Sequence, residues 1–457
     1  MSTSETISRR LGCHPALLIG EILRQIFLYL PRGTLAATAL TCRAWEVPAV
    51  DLLWREVTMK DLLKVLDSVE TRPGCQVKEG NEKPVEDWKW DRLRYLAPKV
   101  KTIIGKQLSG ALDTKAAFRM LRGAGMLEVG VILFPNIDRI LWRLWVSAGP
   151  IEDQVMNMLP CMGPTLRKLH IITNDAPSAV FFNRPPDTSP CLTELTITRL
   201  RFSGERSKSL CQSLARLSAL QHVELLTLTS TEAIMAALEG HLNLHTLHLY
   251  SNTNATTSWP CNIQRPFPAL QRLQLTLGPE DTGTLDNLAH RSILTSLELD
   301  TRHPISWSLQ ATLNALRLHT RLETLTLFGG LSNGNALRQG FLEPVWSCTR
   351  MRDLYISTGQ PMELSDGDVE GLAIRLPLLQ TLTIGHLFHE DPSYGVQMCP
   401  TLRAFALLAA SCPMIRSITL AVDCTLGIPE NTVYPSHHSI ASVDVVNSNL
   451  NDPEVAV

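Results

Sequence analysis

Residues 220–249 read LQHVELLTLTSTEAIMAALEGHLNLHTLHL. The hexapeptides at their two ends, LQHVEL from Leu220 and LHTLHL from Leu244, share the spacing apolar-x-x-apolar-x-apolar. The last two apolar positions are two apart, so on an extended chain they share one face, and the residues before and between them face the other way. The intervening TEAIMAALEGHL spaces Ile234, Ala237 and Leu238 as one stripe of a helix. The unit is therefore a short strand and a return segment whose apolar sides meet.

Outward from this stretch the hexapeptide recurs as LRKLHI from Leu166, LTELTI from Leu192, LQRLQL from Leu270, LTSLEL from Leu294, LETLTL from Leu322, MRDLYI from Met351 and LQTLTI from Leu379. The steps between successive copies are 26, 28, 24, 26, 24, 28, 29 and 28 residues, a spacing that marks a repeat architecture. Weaker copies are IDRILW from Ile137, IRSITL from Ile415 and IASVDV from Ile440, and VKTIIG from Val100 is the most divergent. Return segments with helical spacing are KSLCQSLARLSAL, with Leu210, Leu214 and Leu217, and TLRAFALLAASC, with Leu402, Phe405 and Leu408. Stacked in parallel, such strands make a curved sheet lined inside by Leu and Ile.

Over residues 99–450 the chain resembles the leucine-rich-repeat family, in its variable-length, helix-bearing class. The resemblance implies about 11–13 repeats forming a solenoid, with a parallel sheet on the concave side and helices or irregular segments on the convex side. The family's turn asparagine is matched only at Asn174 and Asn252, and Gly330 stands in its place elsewhere, so irregular turns are expected.

Residues 14–57, HPALLIGEILRQIFLYLPRGTLAATALTCRAWEVPAVDLLWREV, lack the repeat. Ile22, Ile26, Phe27 and Leu30 space as one helical stripe that ends at Pro31. A second helix is expected over Leu35–Trp45, and a third with Pro48 in its first turn. Three short helices have a small core and suit a binding module that leans on a partner. This stretch resembles an F-box, through Glu21-Ile22-Leu23, Ile26-Phe27, Leu30, Leu40-Thr41-Cys42-Arg43-x-Trp45 and Leu53-Trp54-Arg55. Its opening and closing residues are similar to those of filamentous and mushroom-forming fungi. Where the family usually has Leu-Pro before the glutamate, this chain has Ile19-Gly20.

The resemblance implies docking to a Skp-type adaptor, and through it to a cullin. The matched positions are Ile19, Glu21, Ile22, Ile26, Leu30, Leu35, Leu40, Cys42, Trp45 and Trp54. Packing inside the module competes with docking for Ile26, Phe27, Leu40 and Trp45, and Cys42 reads as a small packed hydrophobe. The expected organisation is a disordered tail over 1–13, the F-box over 14–57, a helical and loop junction over 58–98, the repeats over 99–450 and a tail over 451–457. The fold class is α/β. Within the junction, DLLKVLDSVE extends a helix and TRPGCQVKEGNEKPVEDWKWD reads as an exposed loop, with Trp88 and Trp90 pinning it to the first repeats. Irregular rim insertions are expected over Thr173–Pro190 and Ser251–Pro268.

Composition narrows the function. Lys and Arg total 42 against 44 Asp and Glu, a net charge of −2, which argues against nucleic acid as a partner. No apolar run is long enough to cross a membrane. Glu21 and Arg24 interrupt the apolar run after Arg9-Arg10, so no secretory leader is expected. Eleven scattered cysteines without a C-x-x-C pair read as reduced thiols of a cytoplasmic or nuclear protein.

No P-loop, G-x-G-x-x-G, H-E-x-x-H or G-x-S-x-G is present, so no catalytic residue, cofactor or metal is expected. His241, His245 and His248 straddle a strand start and cannot share one face. His386 and His389 lack a third ligand, and the Asn254 glycosylation sequon has no role in a reducing compartment. The third and fifth residues of the hexapeptides are polar throughout, from Lys168 and His170 to Ser417 and Thr419. Their central set, His222, Glu224, Thr246, His248, Arg272, Gln274, Ser296 and Glu298, is the expected contact surface for a target protein. The expectation is a ubiquitin-ligase substrate receptor, with an F-box scaffold acting outside the ligase as the alternative.

Overall fold

Each hexapeptide becomes a parallel strand beginning at its third residue, Lys168 in LRKLHI and Thr246 in LHTLHL. The structure, a computed structural model, describes residues 19–66, 87–105, 132–144, 158–173, 179–200, 204–227, 231–251, 267–276, 293–301, 309–329, 340–358, 362–386, 399–424 and 440–445. It divides into two units, Met1–Arg199 and Leu200–Val457. The expected tails, residues 67–86 and 252–266, and Asn174, Asn252, Asn254, Gly330 and His389 lie outside the described residues.

In the first unit, α1 (Gly20–Phe27), α2 (Arg32–Ala39) and α3 (Arg43–Leu53) enclose a core of Leu23, Phe27, Leu35 and Ala49. Leu30, Ala39, Trp45, Leu52 and Leu53 pack around it. The second helix is shorter than its apolar spacing suggests. Cys42 has an extended backbone and caps α3, so Trp45 passes to the third helix and Pro48 sits inside it instead of in its first turn. Pro48 has no N–H to give the turn before it, but its buried ring fills the module.

Strand β1 (Glu56–Thr58) follows directly and pairs in parallel with β2 (Thr102–Gly105). Strands β3 (Arg139–Leu144), β4 (Lys168–Thr173) and β5 (Glu194–Leu200) add in sequence order. A single carbonyl links each copy to the next. The Arg55 oxygen accepts from the N–H groups of Lys101 and Thr102 at 2.8 and 2.9 Å, and the Lys101 oxygen accepts from Asp138 and Arg139 at 2.8 and 3.0 Å. The divergent VKTIIG is thus a true copy, and Trp54-Arg55-Glu56-Val57-Thr58-Met59 is another, lying partly inside the stretch read as helical module. The ladder therefore starts at β1, ahead of residue 99.

Among the described residues, parts of two segments read as loops are helical. Between β1 and β2 lie α4 (Met59–Leu66), a separate helix that β1 divides from the module it was expected to extend, and α5 (Asp87–Leu96), which covers residues read as loop. Trp90, Leu93 and Leu96 of α5 are buried at helical spacing. The insertion before β5 holds α6 (Ala179–Asn183) and α7 (Pro185–Thr188), and buries Phe181 and Phe182 edge-to-face with ring centres 5.3 Å apart. Its described part, residues 179–190, contributes to the core where a rim loop was expected.

In the second unit, β6 (His222–Thr227), β7 (Thr246–Ser251), β8 (Arg272–Thr276), β9 (Ser296–Thr301), β10 (Thr324–Gly329), β11 (Asp353–Thr358), β12 (Thr381–His386), β13 (Ser417–Leu420) and β14 (Ser442–Val445) pair in order, all parallel. The first, fourth and sixth residues of the seven strong copies from Leu220 to Leu379 are all buried, the fourth and sixth on one strand face as period two requires and the first in the turn ahead of the strand. Each such side chain contributes about 1.5–3 kcal/mol relative to exposure. In the weak copy β14, Val443 and Val445 are instead exposed.

Helices return between strands as α8 (Gly204–Arg216), α9 (Thr231–Leu238), α10 (Leu309–Leu316), α11 (Asp366–Arg375) and α12 (Arg403–Ser411). Leu210 and Leu214 of α8 and Ile234 and Leu238 of α9 are buried as their spacing suggests. In α12 the buried stripe is Ala404, Leu408 and the following Cys412, while Leu402 and Phe405 are half-buried.

One repeat position carries no motif. The residue three before the first apolar position accepts that position's N–H, as His241 does from Leu244, Cys348 from Met351 and Cys412 from Ile415. In these three copies it is buried, and its side chain bonds carbonyls of the preceding segments. The His241 ring bridges the Leu238 and Leu214 carbonyls at 2.9 and 3.0 Å. Cys348 Sγ donates to the Leu316 and His319 carbonyls, and Cys412 Sγ to those of Ala373 and Leu376. Burial pushes both thiols up to about 11, so they remain protonated donors.

Candidate interaction sites

Helix α1 is apolar on two sides. Leu23 and Phe27, four apart, point into the core, and Trp45 meets the Phe27 ring edge-on at 5.8 Å. Ile19, Ile22 and Ile26 form a second stripe that stays exposed. The four residues read as one stripe thus divide, Phe27 and Leu30 against the core and Ile22 and Ile26 on the outside. Leu28, Tyr29, Leu40 and Val47 are exposed as well, Leu40 at 89%. A module this small has one core to offer, and these side chains exceed it.

The residues matched to the adaptor interface take different positions. Ile19, Glu21, Ile22, Ile26, Leu40 and Cys42 are exposed. The exposed thiol of Cys42 corrects its reading as a packed hydrophobe: as the cap of α3 it stands between two helices, where no core reaches it. Leu35 is a core residue at 8% exposure, while Leu30 and Trp45 are half-buried against that core and Trp54 is half-buried at the C-cap of α3.

In the second unit the third hexapeptide positions form one column, in which His222, Thr246, Arg272 and Ser296 are register partners. The fifth positions form the next, with Glu224, His248, Gln274 and Glu298 as partners. The eight residues read as a target surface are thus neighbours on one face of β6–β9, and none is buried. Gln274 Nε2 donates to Glu298. His248, Arg272, Gln274, Glu298, Glu323 and Thr324 line an open cavity of about 390 Å³.

The three histidines grouped by sequence fall into separate surroundings. His241 is buried at a helix end, His245 is exposed ahead of β7, and His248 lies on the polar face. There His248 meets His222 edge-on, with ring centres 5.5 Å apart, and His222 Nε2 lies 4.0 Å from Glu224 Oε2. Burial, joined by His222 and Arg272 and opposed by Glu224, holds the His248 imidazole below its usual range. No local motif marks this group, because His222 and Glu224 come from one copy of the repeat and His248 from the next.

Among the described residues no helix is long and apolar enough to cross a membrane. Residues 21–60 match the F-box-like family model. The chain is similar to one in the crystal structure of the yeast Rad7–Elc1 complex, at 14% identity over 95% of this chain and 94% of that one, with a TM-score of 0.44. It is also similar to the leucine-rich repeat domain of APL1B, at 13% identity over 67% of this chain and 83% of that one, with a TM-score of 0.29. No match was found among curated proteins.

Proposed function

We propose, from the premise of an F-box-like segment at residues 21–60 followed by a leucine-rich-repeat ladder, that this protein is the substrate-recognition subunit of a Skp adaptor–cullin–F-box ubiquitin ligase. The observation that carries the reading is the second apolar stripe of α1, Ile19, Ile22 and Ile26, left exposed together with Leu40 beside a complete core. Burying it against a Skp-type adaptor removes apolar surface from water, at roughly 25 cal/mol per Å². The polar face of β6–β9 then holds a target protein.

No catalytic group is required of this chain. Tethering a target raises the local concentration of its lysines near a ubiquitin-charged enzyme, and the chemistry belongs to that enzyme. Such a receptor acts in the cytoplasm or nucleus.

The test is co-purification of the full-length chain from cells with a Skp-type adaptor and a cullin. The double variant Ile22→Asp, Leu40→Asp is expected to lose both proteins while keeping its circular dichroism and melting temperature. Recovery of the adaptor without the cullin would favour a scaffold outside the ligase. Undiminished capture by the double variant would overturn the interface.

A further inference from the structure

We infer that His222, Glu224 and His248 form a binding site for one divalent transition-metal ion of the zinc class. One ligand atom from each of the three lies within 4.8 Å of the other two. Strand geometry brings them together. Glu224 on β6 is the register partner of His248 on β7, and His222 stands two residues before Glu224, on the same side of β6. Their backbones are held by the parallel ladder, so only side-chain torsions need to adjust.

Two imidazoles and a carboxylate are a donor set suited to zinc, and with three protein ligands a fourth position stays open to water or an incoming group. Metal–ligand bonds of about 2.0–2.1 Å place tetrahedral ligand atoms roughly 3.3 Å apart. His222 Nε2 and Glu224 Oε2, at 4.0 Å, are already close to that, and all three residues are partly exposed. Arg272, partner of Thr246 in the next column, is the adverse charge nearby. The site lies in the second unit, so it and adaptor docking can fail independently.

The test is titration of the full-length protein with Co²⁺, followed by displacement with Zn²⁺. One ion per chain is expected, with visible d–d absorption and without the thiolate charge-transfer band that cysteine ligation gives. His248→Gln and Glu224→Gln should each weaken binding at least about tenfold, since loss of even an outer partner of a ligand costs 10–100-fold. Arg272→Gln should tighten it. Melting curves of the variants verify folding. Absence of a stoichiometric site, a thiolate band, or binding unchanged in both folded ligand variants would overturn the inference.

Discussion

The Lys99 ammonium lies 2.6 Å from the Asp51 carboxylate, which also receives Arg24 at 3.0 Å. Asp51 belongs to α3 and Lys99 to the turn before β2, so helical module and first repeats share one ion network within the first unit. Burial pushes the Asp51 carboxyl up, but hydrogen bonds and charge from Lys99 and Arg24 outweigh it and hold the group below its usual range.

That depression sets a pH dependence. A carboxyl depressed in the folded state adds stability above its unfolded value of about 3.9, and this is lost as pH falls from there through the folded value. Asp61 acts in the same direction: burial opposes it, while hydrogen bonds from Thr58 and the charges of Arg32 and Lys64 prevail. Melting temperatures taken below about pH 4 are expected to fall less steeply in Asp51→Asn than in the parent. Parallel acid limbs would refute the role given to Asp51.

The two faces of α1 predict opposite phenotypes at residues five apart. Phe27→Ala opens the core and should cost about 3–5 kcal/mol of stability, read by denaturant unfolding. Ile22→Asp should leave unfolding within about 0.5 kcal/mol of the parent, as surface changes do, yet abolish adaptor capture.

Gly371 on α11 lies beneath the Trp346 indole. A Cβ there would stand 2.6 Å from Trp346 Cζ2 and 2.9 Å from Cη2. Gly371→Ala is therefore expected to destabilise by about 1–3 kcal/mol although alanine favours helices. The double variant Gly371→Ala, Trp346→Leu should recover part of the loss in a thermal melt.

Asp368 closes the start of α11. Its carboxylate accepts from Gly340 N at 2.9 Å and from Ser365 N and Oγ at 2.9 and 2.6 Å, while Ser365 Oγ accepts from Asp368 N to complete a capping box. Asp368→Ala leaves part-buried donors unpaired and should cost about 1–3 kcal/mol in chemical denaturation. Ser365→Ala removes only the cap and should cost about 1 kcal/mol.

Much of the strand ladder was legible before any coordinates. The Leu-x-x-Leu-x-Leu copies mark strand, start and buried face together, because a period of two allows one assignment of sides. The first copy, Trp54 to Met59, escaped notice because its spacing to the next is 46 residues and its positions overlap a helical module. The carbonyl of Arg55 identifies it only once Lys101 and Thr102 are seen bonded to it. Phe181, Phe182 and Trp90 sit in segments whose Pro, Gly and charge read as loop, and burial of the aromatics prevailed over that local signal.

The sequence alone determined the nine strong copies of the ladder, which of their residues face inward, and that a short helical module of F-box character precedes them. These follow from periodicity and motif, which are properties of neighbours along the chain. Tertiary structure decided which stripe of α1 is core and which is left over, that Leu35 belongs inside, and that His222, Glu224 and His248 share one place. Such outcomes depend on which surface finds a partner and on register between strands some two dozen residues apart, and neither is written in any local pattern.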